Sequence, residues 1–173
     1  MGAQSSTSPA RIRIAVSACL LGERVRYDGE DKRNHQIMTL AEEFELLPFC
    51  PEVAIGLGVP RPPVHLVRGR AGIHVRGVTD PELDVTDQLQ AYAQTQRDAL
   101  KTCTAVIFKS RSPSCGLGST PLFNEQGNEV DKSSGLFAAE LRECLPEVLM
   151  LEESDLVSEE ECLVFIESLY RRG

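Results

Sequence analysis

Apolar residues along this chain gather into four short runs, separated by longer stretches with helical spacing. RIRIAVSA (11–18) is rich in branched residues and reads as a buried strand ending at Cys19. In HQIMTLAEEF the spacing puts Ile37, Leu40, Ala41 and Phe44 on one helical face. ELLPFCPE is a second apolar segment, interrupted by Pro48 and stopped by Pro51. DVTDQLQAYAQTQRDALKTC is the clearest helix, with a core stripe of Leu89, Tyr92, Ala93, Gln96 and Leu100 and a cap from Asp84 or Thr86. TAVIF is a third strand with no polar interruption, as in a strand covered on both faces. GLFAAELREC predicts a further helix and EVLMLEE a fourth strand. VSEEECLVFIESLYRR predicts a final helix in which Ser158 opens a capping box with Glu161.

Two stretches depart from this alternation. Residues 53–78 are rich in Gly and Pro, with short β-like pieces at VHLV and GIHVR, and TPLFNEQGNEV predicts a hairpin turning at Gln126-Gly127-Asn128. The pattern as a whole predicts an α/β fold: three layers, a mostly parallel sheet with helices on both faces, Rossmann-like, plus a small β excursion. No repeat, low-complexity tract or linker divides the chain. A single domain over 11–173 is expected, after a small, polar, non-periodic tail at 1–10 that is expected to be disordered.

Composition narrows the function classes. The 173 residues are 42% hydrophobic and 25% charged, ordinary for a soluble globular protein, and no apolar run approaches a membrane span. The N-terminus lacks the apolar core of a secretory signal, so a cytoplasmic protein is expected. Gly2 and Ser6 match the offsets of a myristoylation pattern, which recurs by chance. A net charge of −8 argues against nucleic acid as a partner, although Arg24, Arg26, Lys32 and Arg33 are close enough to build a local basic pocket. His35, His65 and His74 form no recognisable metal motif and read as surface histidines.

Six cysteines carry the candidate chemistry, and no two form a CxxC pair. Ligands of an open parallel sheet bind beyond the carboxyl ends of its strands. Cys19 follows the first strand, Cys50 closes the second, and Cys115 follows the third within KSRSPSCG (109–116). In that loop Pro113 excludes a helix, and Gly116 is expected to adopt angles that a side chain would forbid. Cys103, Cys144 and Cys162 fall at the opposite edge or in helices and read as small buried hydrophobes. Three thiols converging on one edge suit zinc or an iron–sulfur cluster; scattered packing cysteines are the equal alternative.

SACLLG (17–22), YDG..K.N (27–34), PFCPE (48–52), GLGVPR.P (56–63), DVTD (84–87) and KSRSPSCG, taken together and in order, resemble the thiouracil desulfidase family. The stretch before DVTD departs from the family pattern, reading DPEL. The resemblance implies an oxygen-sensitive 4Fe-4S cluster held by three cysteines, whose matching positions are Cys19, Cys50 and Cys115. One iron would remain free to take the sulfur of a thiolated pyrimidine such as 2-thiouracil, as base or nucleoside. It also implies a carboxylate and a serine acting beside the cluster, at Glu52 and Ser112.

Tyr27, Lys109, Ser110 and Ser114 fall where they can contact the substrate, and Arg61, between prolines, can serve as a fixed cation. The expected reaction is hydrolysis of the carbon–sulfur bond to uracil and sulfide, with Glu52 moving the proton. Two rivals stay open: an enzyme with Cys115 as nucleophile and Glu52 as base, and a zinc- or cluster-bound module or sulfide carrier without catalysis of its own. Thiouridine within transfer RNA is a third substrate possibility. Either a monomer or a homodimer is consistent with the sequence.

Overall fold

The computed structural model describes residues 11–173; the tail at 1–10, with its Gly2–Ser6 pattern, lies outside the described residues. The first half runs β1 (Arg13–Ser17), α1 (His35–Thr39), β2 (Glu45–Phe49), α2 (Pro51–Ala54), β3 (Val64–Gly69), β4 (Gly72–Gly77) and α3 (Thr86–Leu100). The second runs β5 (Ala105–Phe108), β6 (Thr120–Asn124), β7 (Glu129–Ser133), α4 (Leu136–Cys144), β8 (Leu149–Glu152) and α5 (Glu159–Arg172).

Four strands form a wholly parallel sheet in the order β2-β1-β5-β8. The two-residue period of its central strands divides their side chains between two helical layers. Ile14, Val16, Ala105 and Ile107 pack with Ile37, Leu40 and Phe44 on one side of the sheet, joined by Phe165 and Leu169 of α5. Ala15, Val106 and Phe108 face Ala93 and Leu100 of α3 and Phe137 and Leu141 of α4 on the other. All four residues of β5 are buried, as its unbroken apolar run requires. Pro48 is tolerated because β2 is an edge strand, where a missing N–H breaks no ladder.

Of three local expectations, one shifts, one is decided between its two alternatives and one holds. The helix at 35–44 is α-helical only to Thr39; a 3-10 turn over Leu40–Glu42 tightens its end and leaves Ala41 in solvent, while Leu40 and Phe44 stay buried. Of the two candidate caps for α3, Asp84 accepts from the Thr86 backbone N–H (3.0 Å). The Thr86 hydroxyl instead accepts from Val75 N (3.0 Å) and ties the helix to β4. The capping box of α5 forms as predicted, with Ser158 accepting from Glu161 N and the Glu161 side chain accepting from Ser158 N.

The larger difference concerns the β excursion, which is half of a second sheet. The β3–β4 hairpin and the β6–β7 hairpin join through parallel pairing of Leu66 with Leu122 and Val67 with Phe123, giving the order β4-β3-β6-β7. An isolated hairpin is marginal in water. Joined, the two share one apolar face, where Val64, Leu66, Val75 and Leu122 pack on Leu89 of α3 and Leu136 of α4. Nothing in the local pattern of either hairpin shows that its edge will be used by the other.

Candidate active site at the carboxyl edge of the parallel sheet

The chain winds outward from β1 to β2, then crosses back to place β5 on the other side of β1. The crevice at this reversal, beyond the carboxyl ends of β1 and β5, is where such sheets bind ligands. A cavity of about 460 Å³ opens there, and Cys19, Cys50 and Cys115 all line it.

Each thiol is held by different local chemistry. Cys19 sits in the 3-10 turn Ala18–Leu21 directly after β1, which Gly22 closes in the left-handed region at φ 90°. Cys50 is the extended residue before α2, whose first position is Pro51, a residue pre-set for a helix start. Cys115 lies in the loop after β5. There the Ser112 hydroxyl oxygen accepts from Ser114 N (3.3 Å) and Cys115 N (3.1 Å), and Ser112 O accepts from Gly116 N (2.8 Å) and Thr120 Oγ1 (2.7 Å).

The same loop completes the start of α4. Leu136 N donates to Pro113 O and Ala138 N to Ser114 O, so amides left without partners by helix geometry fix the loop that carries Cys115. Gly116 is needed for space rather than for its backbone angles: it is not among the glycines with positive φ, but a Cβ there would lie 2.0 Å from Thr120 Oγ1. The left-handed residue of the loop is Arg111, at φ 62°, a strained conformation for a side-chain-bearing residue.

Glu52 enters the cavity from α2 and is nearly enclosed, 9% exposed. Its Oε2 pairs with Arg61 Nε at 2.9 Å, and its Oε1 accepts from the Ser114 hydroxyl at 2.9 Å. Arg61 is itself locked by donation from Nη1 to Val25 O and Gly58 O. Arg61 is thus the fixed cation expected between the prolines, and Ser114 serves the carboxylate.

On the opposite wall the Lys109 ammonium pairs with Glu153 and also reaches Ser110 Oγ (2.9 Å). Glu153 further accepts from Ser110 N (2.6 Å) and Ser110 Oγ (2.8 Å). Tyr27 borders the mouth with Arg26 over its ring, and Arg26 and Lys32 supply the predicted basic lining; Arg24 and Arg33 lie outside it. Ser112 and Ser110 also line the cavity. All nine sequence-selected site residues therefore surround one space.

Sequence reasoning missed three residues here. Glu152 and Glu153 stand at the end of β8, and the strand-end rule, applied to the fourth strand as to the first three, points to both. Glu152 is buried and accepts from Leu117 N and the Ser119 hydroxyl, anchoring the far side of the Cys115 loop. Ser17, the last residue of β1, is buried and accepts from Lys109 N (3.0 Å); only its place before Cys19 marks it.

Burial raises all three thiols: Cys19 to about 11, opposed mainly by Lys109; Cys50 upward; and Cys115 well above its ordinary value. A thiolate at Cys19 or Cys50 would push Cys115 further up, since the three thiols line one cavity. Among the described residues, no three His, Cys, Asp or Glu side chains gather closely enough to hold a single metal ion. Ligands that border one cavity from separate walls suit a larger group, which can be held at several corners. Soft sulfur donors select iron–sulfur clusters among such groups. None of the described helices is long and apolar enough to cross a membrane.

Fold and site together define a doubly wound α/β protein with a thiol-rich cleft at its switch point. The sequence profile of the 2-thiouracil desulfurase family matches residues 14–153, and the chain belongs to that family. It is 33% identical over 136 residues to the uncharacterized protein YbbK of Bacillus subtilis (strain 168), covering 75% of this chain and 89% of that protein. It also superposes on a solved structure of the 4Fe-4S-dependent thiouracil desulfidase TudS with a TM-score of 0.71 and 32% identity, covering 91% of this chain and 99% of the other.

Proposed function

We propose that Cys19, Cys50 and Cys115 hold a 4Fe-4S cluster, and that the protein hydrolyses a thiolated pyrimidine to the oxo-pyrimidine and sulfide. One observation carries this reading: three thiols from three separate strand ends border a single cavity that also contains a buried carboxylate. The family name and the name of the structural neighbour support the same substrate and cofactor. Bound by three cysteines, such a cluster would leave one iron without a protein ligand and supply a Lewis acid for the substrate's sulfur.

The chain's own residues supply the rest. Arg61 and Ser114 each occupy one oxygen of Glu52, which fixes the carboxylate plane and leaves lone pairs on both oxygens. Glu52 takes the proton of an attacking water and returns it to the leaving group. Ser112 holds the Cys115 amide with its oxygen and keeps its hydroxyl proton for the cavity. Lys109, kept in place by Glu153 and Ser110, offsets negative charge at the sulfur-lined wall. Tyr27 offers a ring face at the mouth for a pyrimidine. Water replaces sulfide at carbon with no net oxidation, so no electron donor is required.

Burial pushes the Cys115 thiol up, which disfavours a free cysteine nucleophile, because the thiolate is the attacking form. Anaerobic reconstitution with iron and sulfide, followed by iron analysis and assay with 2-thiouracil, tests the proposal. About four irons per chain and release of uracil with sulfide are expected. Metal-free protein that desulfurates in air would overturn the reading in favour of the nucleophilic cysteine.

A further inference from the structure

The loop that carries Cys115 contains one residue whose backbone resists its own conformation: Arg111, at φ 62°. A side-chain-bearing residue stays in that region only where its surroundings over-determine it. The Arg111 backbone N–H donates to Ser119 Oγ at 2.7 Å, across the base of the loop. The Ser119 hydroxyl in turn donates to Glu152 Oε1 at 2.5 Å, and Leu117 N donates to the same oxygen at 2.5 Å. Glu152 is 6% exposed, and its other oxygen accepts from Ser154 Oγ at 3.2 Å.

The entry of the loop is gripped from the same strand end. Glu153 accepts from Ser110 N at 2.6 Å and from Ser110 Oγ at 2.8 Å. Consecutive carboxylates at the end of β8 thus hold the residues on either side of the turn, Ser110 before it and Leu117 and Ser119 after it. Their work differs. Glu153 also pairs with Lys109, whereas the donors to Glu152 are an amide and two hydroxyls. Hydrogen bonds to a carboxylate are among the strong ones, and a donor that loses its acceptor inside a protein is costly.

We propose that Glu152 is a positioning residue for the Cys115 thiol: through Ser119 it holds Arg111 in the left-handed region and fixes the loop before any cluster binds. The purpose of this device rests on the proposed cluster assignment; its geometry does not. The Ser112 hydroxyl shapes the turn from within by accepting from Ser114 N and Cys115 N. Glu152 ties that shape to the parallel sheet, whose other strand ends carry Cys19 and Cys50. A thiol already in place loses less freedom when a ligand binds, which tightens binding.

The test follows alkylation of individual cysteines by iodoacetamide in the full-length chain, free of metal and under reductant, read by mass spectrometry. Cys115 and Cys103 are matched in burial, at 5% and 4% exposed, so Cys103 reports general loosening. In Glu152→Ala the Cys115 rate should rise about tenfold while the Cys103 rate stays put. Glu152→Gln, which keeps the accepting oxygen, should react at the wild-type rate. Should the alanine variant fail to fold, Ser119→Ala, which breaks only the link to Arg111, should move Cys115 in the same direction. An unchanged Cys115 rate in a folded alanine variant, or an equal rise at Cys103, overturns the role of Glu152. A glutamine variant as reactive as the alanine one overturns the hydrogen-bond route. After reconstitution with iron and sulfide, the alanine variant should also lose iron to a chelator faster than wild type. Wild-type protein that takes up no iron overturns the cluster assignment, and the alkylation rates still decide the role of Glu152.

Discussion

The two edges of the parallel sheet hold the same residue type in opposite circumstances. At the carboxyl edge Cys19, Cys50 and Cys115 border one cavity with Glu52 and Lys109. At the amino edge Cys103 precedes β5 and packs among Ala15, Val106 and Leu145. Cys144 ends α4 with its sulfur toward Glu140 Oε1, and Cys162 on α5 points to Leu156 O. Burial does not separate the groups, since Cys103 is 4% exposed and Cys115 5%. Direction does. A parallel sheet sends every strand's exit to one edge, so residues distant in sequence meet there without further instruction.

The sharpest way to break this comparison is to remove thiols from each edge in turn. Alanine at Cys19, Cys50 or Cys115 should abolish stable iron binding and reduce thiouracil turnover to background. Alanine at Cys103 should leave both intact and cost about 1 kcal/mol of stability, read by urea titration. Iron loss on substitution of Cys103, or full iron binding without Cys115, would mean that strand direction does not sort the thiols.

The next largest effect lies in the Glu52–Arg61 pair, whose side chains are 11% and 4% exposed. Arg61→Met strands a buried carboxylate and should cost about 3–5 kcal/mol. Glu52→Gln keeps the Ser114 contact and should cost far less stability while removing most turnover. A double variant that regains stability but not activity would separate the structural from the chemical work of this carboxylate.

The carboxyl edge was legible because its logic is local. Each apolar run announces a strand, and the residues after it must lie at a known edge, so Cys19, Cys50 and Cys115 follow from three strand ends, while Glu52 followed from its match to the family motif. Arg61 was visible as a cation pinned between prolines. Glu152 and Glu153 were missed because EVLMLEE was read only as a strand and its exit was not followed. Ser17 was hidden because it closes β1 and reads as one more strand residue, so nothing local marks its bond with Lys109 N. The second sheet was illegible for a different reason: the meeting of β3 with β6 joins segments more than fifty residues apart, and neither carries a mark of its partner. Gly116 shows the limit of local reasoning, since Thr120, which forbids its side chain, approaches through that same sheet.

Positions remote from the cavity sharpen the contrast with smaller effects, because they should move stability while leaving iron and turnover untouched. Ser158→Ala removes the hydroxyl that accepts from Glu161 N and leaves the first turn of α5 uncapped. The expected loss is about 1 kcal/mol, measurable as a lower urea midpoint with unchanged slope. A fall in bound iron in this variant would couple α5 to the site and blur the division between the edges.

The smallest effect belongs to Asp84, which anchors α3 against β4 far from the thiols. Burial pushes its carboxyl up, but hydrogen bonds from Thr86 and Arg76, with the nearby His74, hold it at about 2, below the ordinary 3.8. The unfolded chain therefore binds this proton more readily than the folded one, and stability from Asp84 is complete above the ordinary value and lost as pH falls through about 2. The Asp84 side chain is 34% exposed, so screening keeps the contribution modest. Asp84→Asn cannot titrate, and its stability curve should converge with that of the wild type as acid is added, the gap closing between pH 3.8 and about 2. A gap that stayed constant to the acid end would show that Asp84 acts through its cap geometry alone, because an asparagine side chain still accepts from Thr86 N, whereas only an ionised carboxylate adds the charge that Arg76 meets.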